Sequence, residues 1–104
     1  MNFLVYDRRK GADEPVDDLG SLVTGITDWL GCLKDMQKTG KVVCHWAFHN
    51  HHGSITVFDV ASGEELKEIL KKNPMDERWI TREIYQVETL DKEMDNVFRY
   101  MSGV

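Results

Sequence analysis

The chain has few cysteines and no long apolar run. Cys32 and Cys44 are the two cysteines among 104 residues. Because no C-x-x-C spacing links them, we interpret them as reduced, packed side chains rather than as a disulfide or redox pair. No apolar stretch approaches the roughly 20 residues that cross a bilayer. The first residues also lack the charged-then-apolar order of a secretion signal. We therefore expect a cytoplasmic protein with no membrane partner.

Positive charge is also scarce. Lysine and arginine number 13 against 18 aspartate and glutamate, which gives a net charge of -5. The basic clusters are short, Arg8 to Lys10 and Lys71 with Lys72. A chain of this balance repels phosphate backbones, so we expect no nucleic-acid partner. The length and the 41% apolar share suit one core. We predict a single domain over 1–104, with a core over 2–88 and an extension over 89–104.

Strand-like and helix-like patterns alternate along the chain. Short runs rich in β-branched and aromatic residues predict strands at 2–7, 41–48, 54–60 and 79–87. Apolar residues at three- and four-residue intervals predict a helix from Leu19 to Met36, which Gly40 ends. Ser62 to Glu65 has the pattern of a capping box and starts a second helix. A third, short helix is predicted from Leu90 to Met101.

The order strand, helix, hairpin, helix, strand is typical of one fold class. It predicts an α+β protein of ferredoxin-like βαββαβ plan, with a four-stranded antiparallel sheet and two helices on one face. The other face of the sheet is then left without cover.

The hairpin of the second and third strands is predicted to have two different faces. An even-length turn puts Trp46 opposite Val57 and His45 opposite Phe58. We assign the more apolar set to the helix side, namely Val42, Cys44, Trp46, Phe48, Ile55 and Val57. The mixed set is left uncovered, namely Val43, His45, Ala47, His49, Thr56, Phe58 and Val60. Since soluble monomers rarely expose so large an apolar patch, a second copy of the chain is expected to cover it.

Four histidines lie within eight residues, at positions 45, 49, 51 and 52. On the mixed face, His45 or His49 can serve as a general acid or base near neutral pH. A metal site using His49, His51 and His52 is a weaker hypothesis, because a tight hairpin splays adjacent side chains and no further ligand completes a pattern. The alternative to a functional site is a solvated turn with one packed histidine.

Three other groups of residues leave alternatives open. The acidic residues Asp13, Glu14, Asp17 and Asp18 are most simply a solvated loop, with a calcium site as the alternative. Tyr6 and Asp7 cannot both face one cavity, since neighbours in a strand point to opposite faces. The same uncertainty of face holds for Glu83 and Tyr85.

The middle of the chain also carries a set of residues with a recognisable spacing. They are Gly40 at a helix end, Trp46, His51 in a turn, the run Val57 to Val60, and then Ser62, Glu65, Leu66 and Pro74. With these, the chain resembles the muconolactone isomerase family over roughly residues 20 to 88. The resemblance implies a dimeric α/β barrel that binds small organic molecules between sheet and helices or partner chain. It also implies double-bond migration in an unsaturated lactone by proton transfer, without metal or organic cofactor.

The resemblance is weaker at the residues of interest for chemistry. His45 and His49 do not map onto the family pattern, the first loop is longer and more charged, and residues 76–78 replace a more apolar stretch. A fold carries over between relatives more readily than a reaction does.

Together these patterns predict a homodimer, or a larger oligomer, that binds a small and partly apolar organic molecule. We expect proton transfer by His45 or His49, the two candidate catalytic residues. The residues expected to contact the ligand are Tyr6, Val43, Ala47, His51, Thr56 and Phe58. A non-catalytic ligand-binding or stress-associated barrel protein and a cofactor-independent monooxygenase of the same fold are the alternatives.

Overall fold

A computed structural model describes residues 1–11, 18–75 and 79–103. The elements in chain order are β1 (Asn2–Arg9), α1 (Leu19–Lys38), β2 (Val42–Ala47), β3 (Gly53–Asp59), α2 (Gly63–Leu70), β4 (Ile80–Val87) and α3 (Leu90–Met101). The strands form one antiparallel sheet in the order β2-β3-β1-β4. The predicted α+β, ferredoxin-like fold is thereby confirmed. Most of the acidic loop, at 13–17, and the segment 76–78 lie outside the described residues.

The helix α1 begins and ends where its capping residues allow. The Asp18 carboxylate accepts a hydrogen bond from the Ser21 amide at 3.1 Å, which satisfies one of the orphan donors at the helix start. At the other end Gly40 has a φ of +84°, a conformation that glycine adopts without strain. Within the described part of the chain, none of the helices is both long enough and apolar enough to cross a membrane.

The buried side of α1 includes only some of the apolar residues that recur at helical spacing. The helix buries Leu22, Gly25, Trp29 and Leu33. Leu19, Val23, Ile26 and Leu30 are exposed instead. The helix has two neighbouring apolar stripes, and the side with the large Trp29 ring packs on the sheet. The sequence does not distinguish these two stripes, because both have the spacing of a helix face.

The helix α2 has the predicted capping box in a modified form. The Ser62 hydroxyl accepts from the Glu65 amide at 3.2 Å. The Glu65 carboxylate accepts from the Ala61 amide at 3.1 Å and pairs with Lys41 Nζ at 2.5 Å. These contacts join the start of α2 to the residue that precedes β2.

The two sides of the sheet are reversed relative to the prediction for the hairpin. We call the side under α1 and α2 the covered face, and it carries Phe3, Val5, Thr56, Phe58 and, across from Thr56, His45. Phe58 is 0% exposed there. The open face carries Leu4, Tyr6, Cys44, Trp46, Ile55 and Val57. The assignment of the His45 face to the uncovered side was wrong, and so was the assignment of the Trp46 face to the helices.

The pairing of β2 with β3 differs from the prediction in two ways. The register is shifted by two residues, and β2 contains a β-bulge. Trp46 pairs with Ile55 and His45 with Thr56, and the pairing is irregular between Val42 and Cys44. Because a bulge inserts one extra residue into the strand, Val42 points to the covered face, where it is 3% exposed. Strict alternation would place Val42 on the same face as Cys44. The predicted face of Val42 relative to Cys44 was wrong because the prediction did not include the bulge.

The helix α3 extends away from this body. All of its residues are exposed, and the molecule measures 58 × 29 × 23 Å with a radius of gyration of 16.4 Å. A compact domain of this length has a radius of gyration of about 13 Å. The chain's own α3 therefore leaves the open face uncovered, with Trp46 66% and Tyr85 52% exposed.

Candidate functional site

A cavity of about 270 Å³ lies between the covered face of the sheet, α1 and the segment after α2. It sits at the end of the sheet where β1 finishes and β4 begins, because Arg9 pairs with Ile80 there. Its walls are largely apolar, with a few polar groups that converge on them. The lining residues are Asp7, Arg9, Ile26, Trp29, Leu30, His45, Ala47, His51, Gly53, Ser54, Asn73, Met75 and Ile80.

His45 is the half-buried histidine of this cavity. Its Nδ1 lies 2.7 Å from the Thr56 Oγ1, and Thr56 is itself 3% exposed. The hydroxyl fixes the plane of the ring and leaves Nε2 as the ring nitrogen available to a ligand. Burial lowers the pKa of His45 below its ordinary value of 6.5, and the negative charge of Asp7 acts against that shift. The imidazole is accordingly neutral near neutral pH, the form that accepts a proton.

Asp7 brings a fixed negative charge to the same wall. Arg82 donates to it from Nε at 2.7 Å and from a terminal guanidinium nitrogen at 3.4 Å. The two side chains are 12% and 23% exposed, so this ion pair is largely shielded from solvent. Because the carboxylate is held in a two-point contact with a guanidinium, its place in the cavity is that of an oriented charge rather than of a free base.

Three further groups offer hydrogen-bonding capacity to a ligand. The Asn73 Oδ1 accepts from the Met75 amide at 2.8 Å, which directs the asparagine side chain and leaves its NH2 group as a donor. The Ser54 hydroxyl and the Arg9 guanidinium also line the cavity. An oxygen-bearing, otherwise apolar molecule suits this combination of walls and donors.

The structure brings together some of the predicted site residues and separates others. His45, Ala47 and His51 line the cavity, and His51 has a positive φ of 63° in the turn. Thr56 lies behind His45 as its hydrogen-bond partner, and Phe58 is buried in the core.

The remaining predicted residues lie elsewhere. His49 is exposed in the turn and is not part of the cavity wall. Val43 is 55% exposed at the bulge. Tyr6 points to the open face, where its ring lies 5.5 Å from that of Phe48.

Two charged residues of the site were missed or left open by the sequence. Asp7 was one of two alternatives at the end of the first strand. Phe3 and Val5 are buried on the covered face, and strand alternation then places Asp7 on that face as well. Arg82 was not predicted, and the signal that could have found it is its pairing with Asp7 across β1 and β4.

The histidine cluster does not converge as a metal site would require. In the described parts of the chain, no three histidine, cysteine, aspartate or glutamate side chains come together in a way that could hold a metal ion. Cys32 and Cys44 are free and partly buried, as the sequence predicted.

Comparison with known proteins gives one family and one fold. No curated protein matches the chain. Among solved structures, a crystal structure of muconolactone isomerase matches with a TM-score of 0.70 and 24% identity, over 86% of this chain and 90% of that chain. A 5-chloro-2-hydroxyhydroquinone dehydrochlorinase from Burkholderia phenoliruptrix, solved in complex with 2,5-dihydroxybenzoquinone, matches with a TM-score of 0.67 and 13% identity. That match covers 88% of this chain and 98% of the dehydrochlorinase.

The family model for muconolactone delta-isomerase matches residues 30–92, which includes β2, β3, α2 and β4 and therefore most of the sheet. The predicted family resemblance is confirmed by this match. Since the matched segment is more than half of the 104 residues, this chain belongs to the muconolactone delta-isomerase family.

Proposed function

We propose that this protein is a cytoplasmic homodimer that isomerises a small unsaturated cyclic compound, such as a lactone, by moving a proton. The observation that carries the proposal is His45, a neutral and half-buried imidazole anchored by Thr56 on the wall of an apolar cavity. The family membership supports the reaction class, and the dihydroxybenzoquinone bound by the dehydrochlorinase has the size and polarity that we propose for the ligand.

The proposed chemistry needs one base and no redox partner. With its Nδ1–H donating to the Thr56 hydroxyl, the His45 Nε2 accepts a proton from the carbon between the carbonyl and the double bond of a β,γ-unsaturated lactone, and the electrons of the broken C–H bond form a dienolate. The imidazolium then returns the proton to the far carbon of the conjugated system, so the double bond has moved and the composition is unchanged. The developing negative charge falls on the carbonyl oxygen, for which Ser54, the Asn73 amide group and Arg9 are the donors of the cavity.

Asp7 has a supporting role in this scheme. Its carboxylate is tied to Arg82, and its negative charge favours the protonated form of His45. It therefore stabilises the imidazolium that exists between the two proton transfers. Ala47 and His51 complete the wall and are proposed to contact the ligand.

Solvent deuterium provides the test of the reaction. An unsaturated γ-lactone is incubated with the protein in D2O, and proton NMR follows both double-bond migration and deuterium incorporation. We expect His45→Gln to reduce the turnover rate by about 10²- to 10⁴-fold, the usual contribution of a positioned acid or base. Ligand binding should persist, because glutamine keeps a hydrogen-bonding group in the wall.

A second histidine variant serves as the comparison. His49→Asn changes an exposed ring outside the cavity, and we expect wild-type turnover from it. If His45→Gln retains full turnover, the proposed base is wrong. Oxygen consumption during turnover would support a monooxygenase instead, and binding without turnover would support a ligand carrier.

A further inference from the structure

The ion pair between Asp7 and Arg82 connects the edge strand β4 to the wall of the cavity. The two residues are direct partners in the register of β1 and β4, so their side chains share the covered face. Among the described residues, Asp7 lines the cavity and Arg82 does not. The contact of Arg82 with the site therefore runs through the Asp7 carboxylate.

The charged and titratable groups that share the cavity with His45 come from β1 and from the turn before β3. They are Asp7 and Arg9 of β1 and His51 of the turn. The helix α1 contributes no titratable side chain to this wall, β3 contributes a hydroxyl, and the segment after α2 contributes an amide and a thioether. Asp7 is thus the one anion among the described lining residues. The direction of its carboxylate determines how strongly the imidazole senses a negative charge.

His45 has a single ring nitrogen to offer to a ligand. Its Nδ1 lies 2.7 Å from Thr56 Oγ1, which leaves Nε2 for the proposed ligand. A carboxylate that pairs with His45 needs the same Nε2, and it holds the ring in the charged form. Asp7 and the ligand are therefore competitors for one atom.

We propose that Arg82 is a positioning residue of the site, which holds the Asp7 carboxylate away from His45 and so keeps Nε2 free for the ligand. This inference deepens the proposed function and rests on its assignment of His45 as the base. The guanidinium donates from Nε at 2.7 Å to one oxygen of Asp7 and from a terminal nitrogen at 3.4 Å to the other. Such a two-point contact fixes the orientation of a carboxylate as well as its distance.

The surroundings of the ion pair strengthen this contact. The side chains of Asp7 and Arg82 are 12% and 23% exposed, so water screens their attraction less than on an open surface. Asp7 still favours the charged form of His45, but burial of the ring outweighs that effect and keeps its pKa below 6.5. This balance is the one expected of a carboxylate that lies near the imidazole and is bound elsewhere.

NMR titration of the His45 ring protons tests the inference without a substrate. We expect Arg82→Met to raise the pKa of His45 by about one unit, because the released carboxylate then pairs with the imidazole. Arg82→Lys keeps the charge but loses the two-point contact, so it should raise the pKa by less. Arg8→Met is the matched control. It removes the same charge one residue from Asp7, beside the Tyr6 ring on the open face, and should leave the pKa in place.

A double variant separates an indirect effect of Arg82 from a direct one. In the Asp7→Asn background there is no carboxylate to release, so adding Arg82→Met should leave the pKa of His45 where Asp7→Asn alone puts it. An equal rise in both backgrounds would show that the charge of Arg82 acts on His45 directly, and the proposal would be wrong. An unchanged pKa in Arg82→Met would also overturn it, because the carboxylate then turns to another donor such as Arg9.

Two further measurements keep the test decisive. Circular dichroism verifies that each variant keeps the fold, and if Arg82→Met unfolds, an unchanged His45 pKa in Arg82→Lys overturns the proposal. With an unsaturated lactone as substrate, Arg82→Met should lower kcat/KM more at acidic than at alkaline pH, since the acid limb follows the base. If the pKa rises as expected while no lactone is turned over, the proposed reaction is wrong and the role of Arg82 in orienting Asp7 stands.

Discussion

The environment of His45 combines two opposing effects on one imidazole. Burial disfavours its charged form, while the Asp7 carboxylate favours that form, and burial is the larger effect. The pKa of His45 is therefore lower than the ordinary value of 6.5. If His45 is the base, the acid limb of kcat/KM should therefore lie below that value, since the free enzyme's essential base sets this limb.

Replacing Asp7 with asparagine isolates the contribution of the carboxylate. Because Asp7 raises the pKa of His45, we expect Asp7→Asn to lower that pKa further and to move the acid limb of kcat/KM to lower pH. The His45 titration can be followed by NMR of its ring protons. Glu83→Gln, on the opposite face of β4, serves as the control and should leave the titration in place. If the pKa of His45 rises in the Asp7→Asn variant, the effect assigned to the Asp7 carboxylate is wrong.

The Asp7→Asn substitution should also lower the free energy of unfolding. It leaves Arg82 without its partner in a site that is 23% exposed, which costs about 2 kcal/mol. The pKa of His45 is lower in the folded than in the unfolded chain, so the unfolded state binds more protons below pH 6.5. Stability therefore falls as the pH drops through this window. Asp7→Asn should steepen that fall, as urea titrations at several pH values would measure.

The sequence located the histidine of the site but not its charged neighbours. His45 was found because histidine is a natural acid or base and its strand could be read from composition. Asp7 depended on the face to which the end of β1 points, which sequence alternation alone leaves open until one residue of the strand is known to be buried. Arg82 depended on the pairing of the first and last strands, a contact between residues 75 positions apart.

At the scale of elements, the helices and strands followed local rules, and the sheet faces did not. The end of α1 at Gly40 and the start of α2 at Ser62 were predicted from capping residues, and both agree with the structure. The choice of face was wrong because both sides of the hairpin carry apolar residues. The bulge after Val42 also moves that residue from one side to the other. Packing of Phe58 beneath α1 settles the choice, and a pattern of alternation does not contain that information.

The cap of α2 offers a prediction at this scale. Ser62→Ala removes the acceptor for the Glu65 amide, and we expect a loss of about 1 kcal/mol in the free energy of unfolding. Ser62→Thr keeps a hydroxyl at the same position and should lose less than half of that. Chemical denaturation of the three proteins measures both differences. Equal stability of the alanine and serine forms would show that the Glu65 contacts with Ala61 and Lys41 hold the helix start unaided.

The whole molecule has an apolar sheet face and an apolar helix that one chain leaves exposed. The covered face carries the core, where ten of the described residues form one buried cluster. On the open face, Trp46 in the edge strand shares the surface with Ile55 and Val57 of β3 and with Leu4 and Tyr6 of β1. Soluble monomers rarely expose large contiguous apolar patches. A partner chain packed on the open face accounts for this surface and agrees with the dimer that we propose.

The prediction at this scale concerns Trp46, which is 66% exposed and lies in the outermost strand of the open face. Its side chain contributes little to the fold of one chain, so Trp46→Glu should fold normally yet place a charge in the proposed sheet interface. We expect the variant to sediment as a monomer at concentrations where the unaltered protein is a dimer, because an unpaired charge buried at an interface costs several kcal/mol. Lys72→Gln makes the same change of one unit in net charge at an exposed position after α2, and it should leave the dimer intact. If Trp46→Glu remains dimeric with unchanged affinity, the open face is not the surface through which two copies meet.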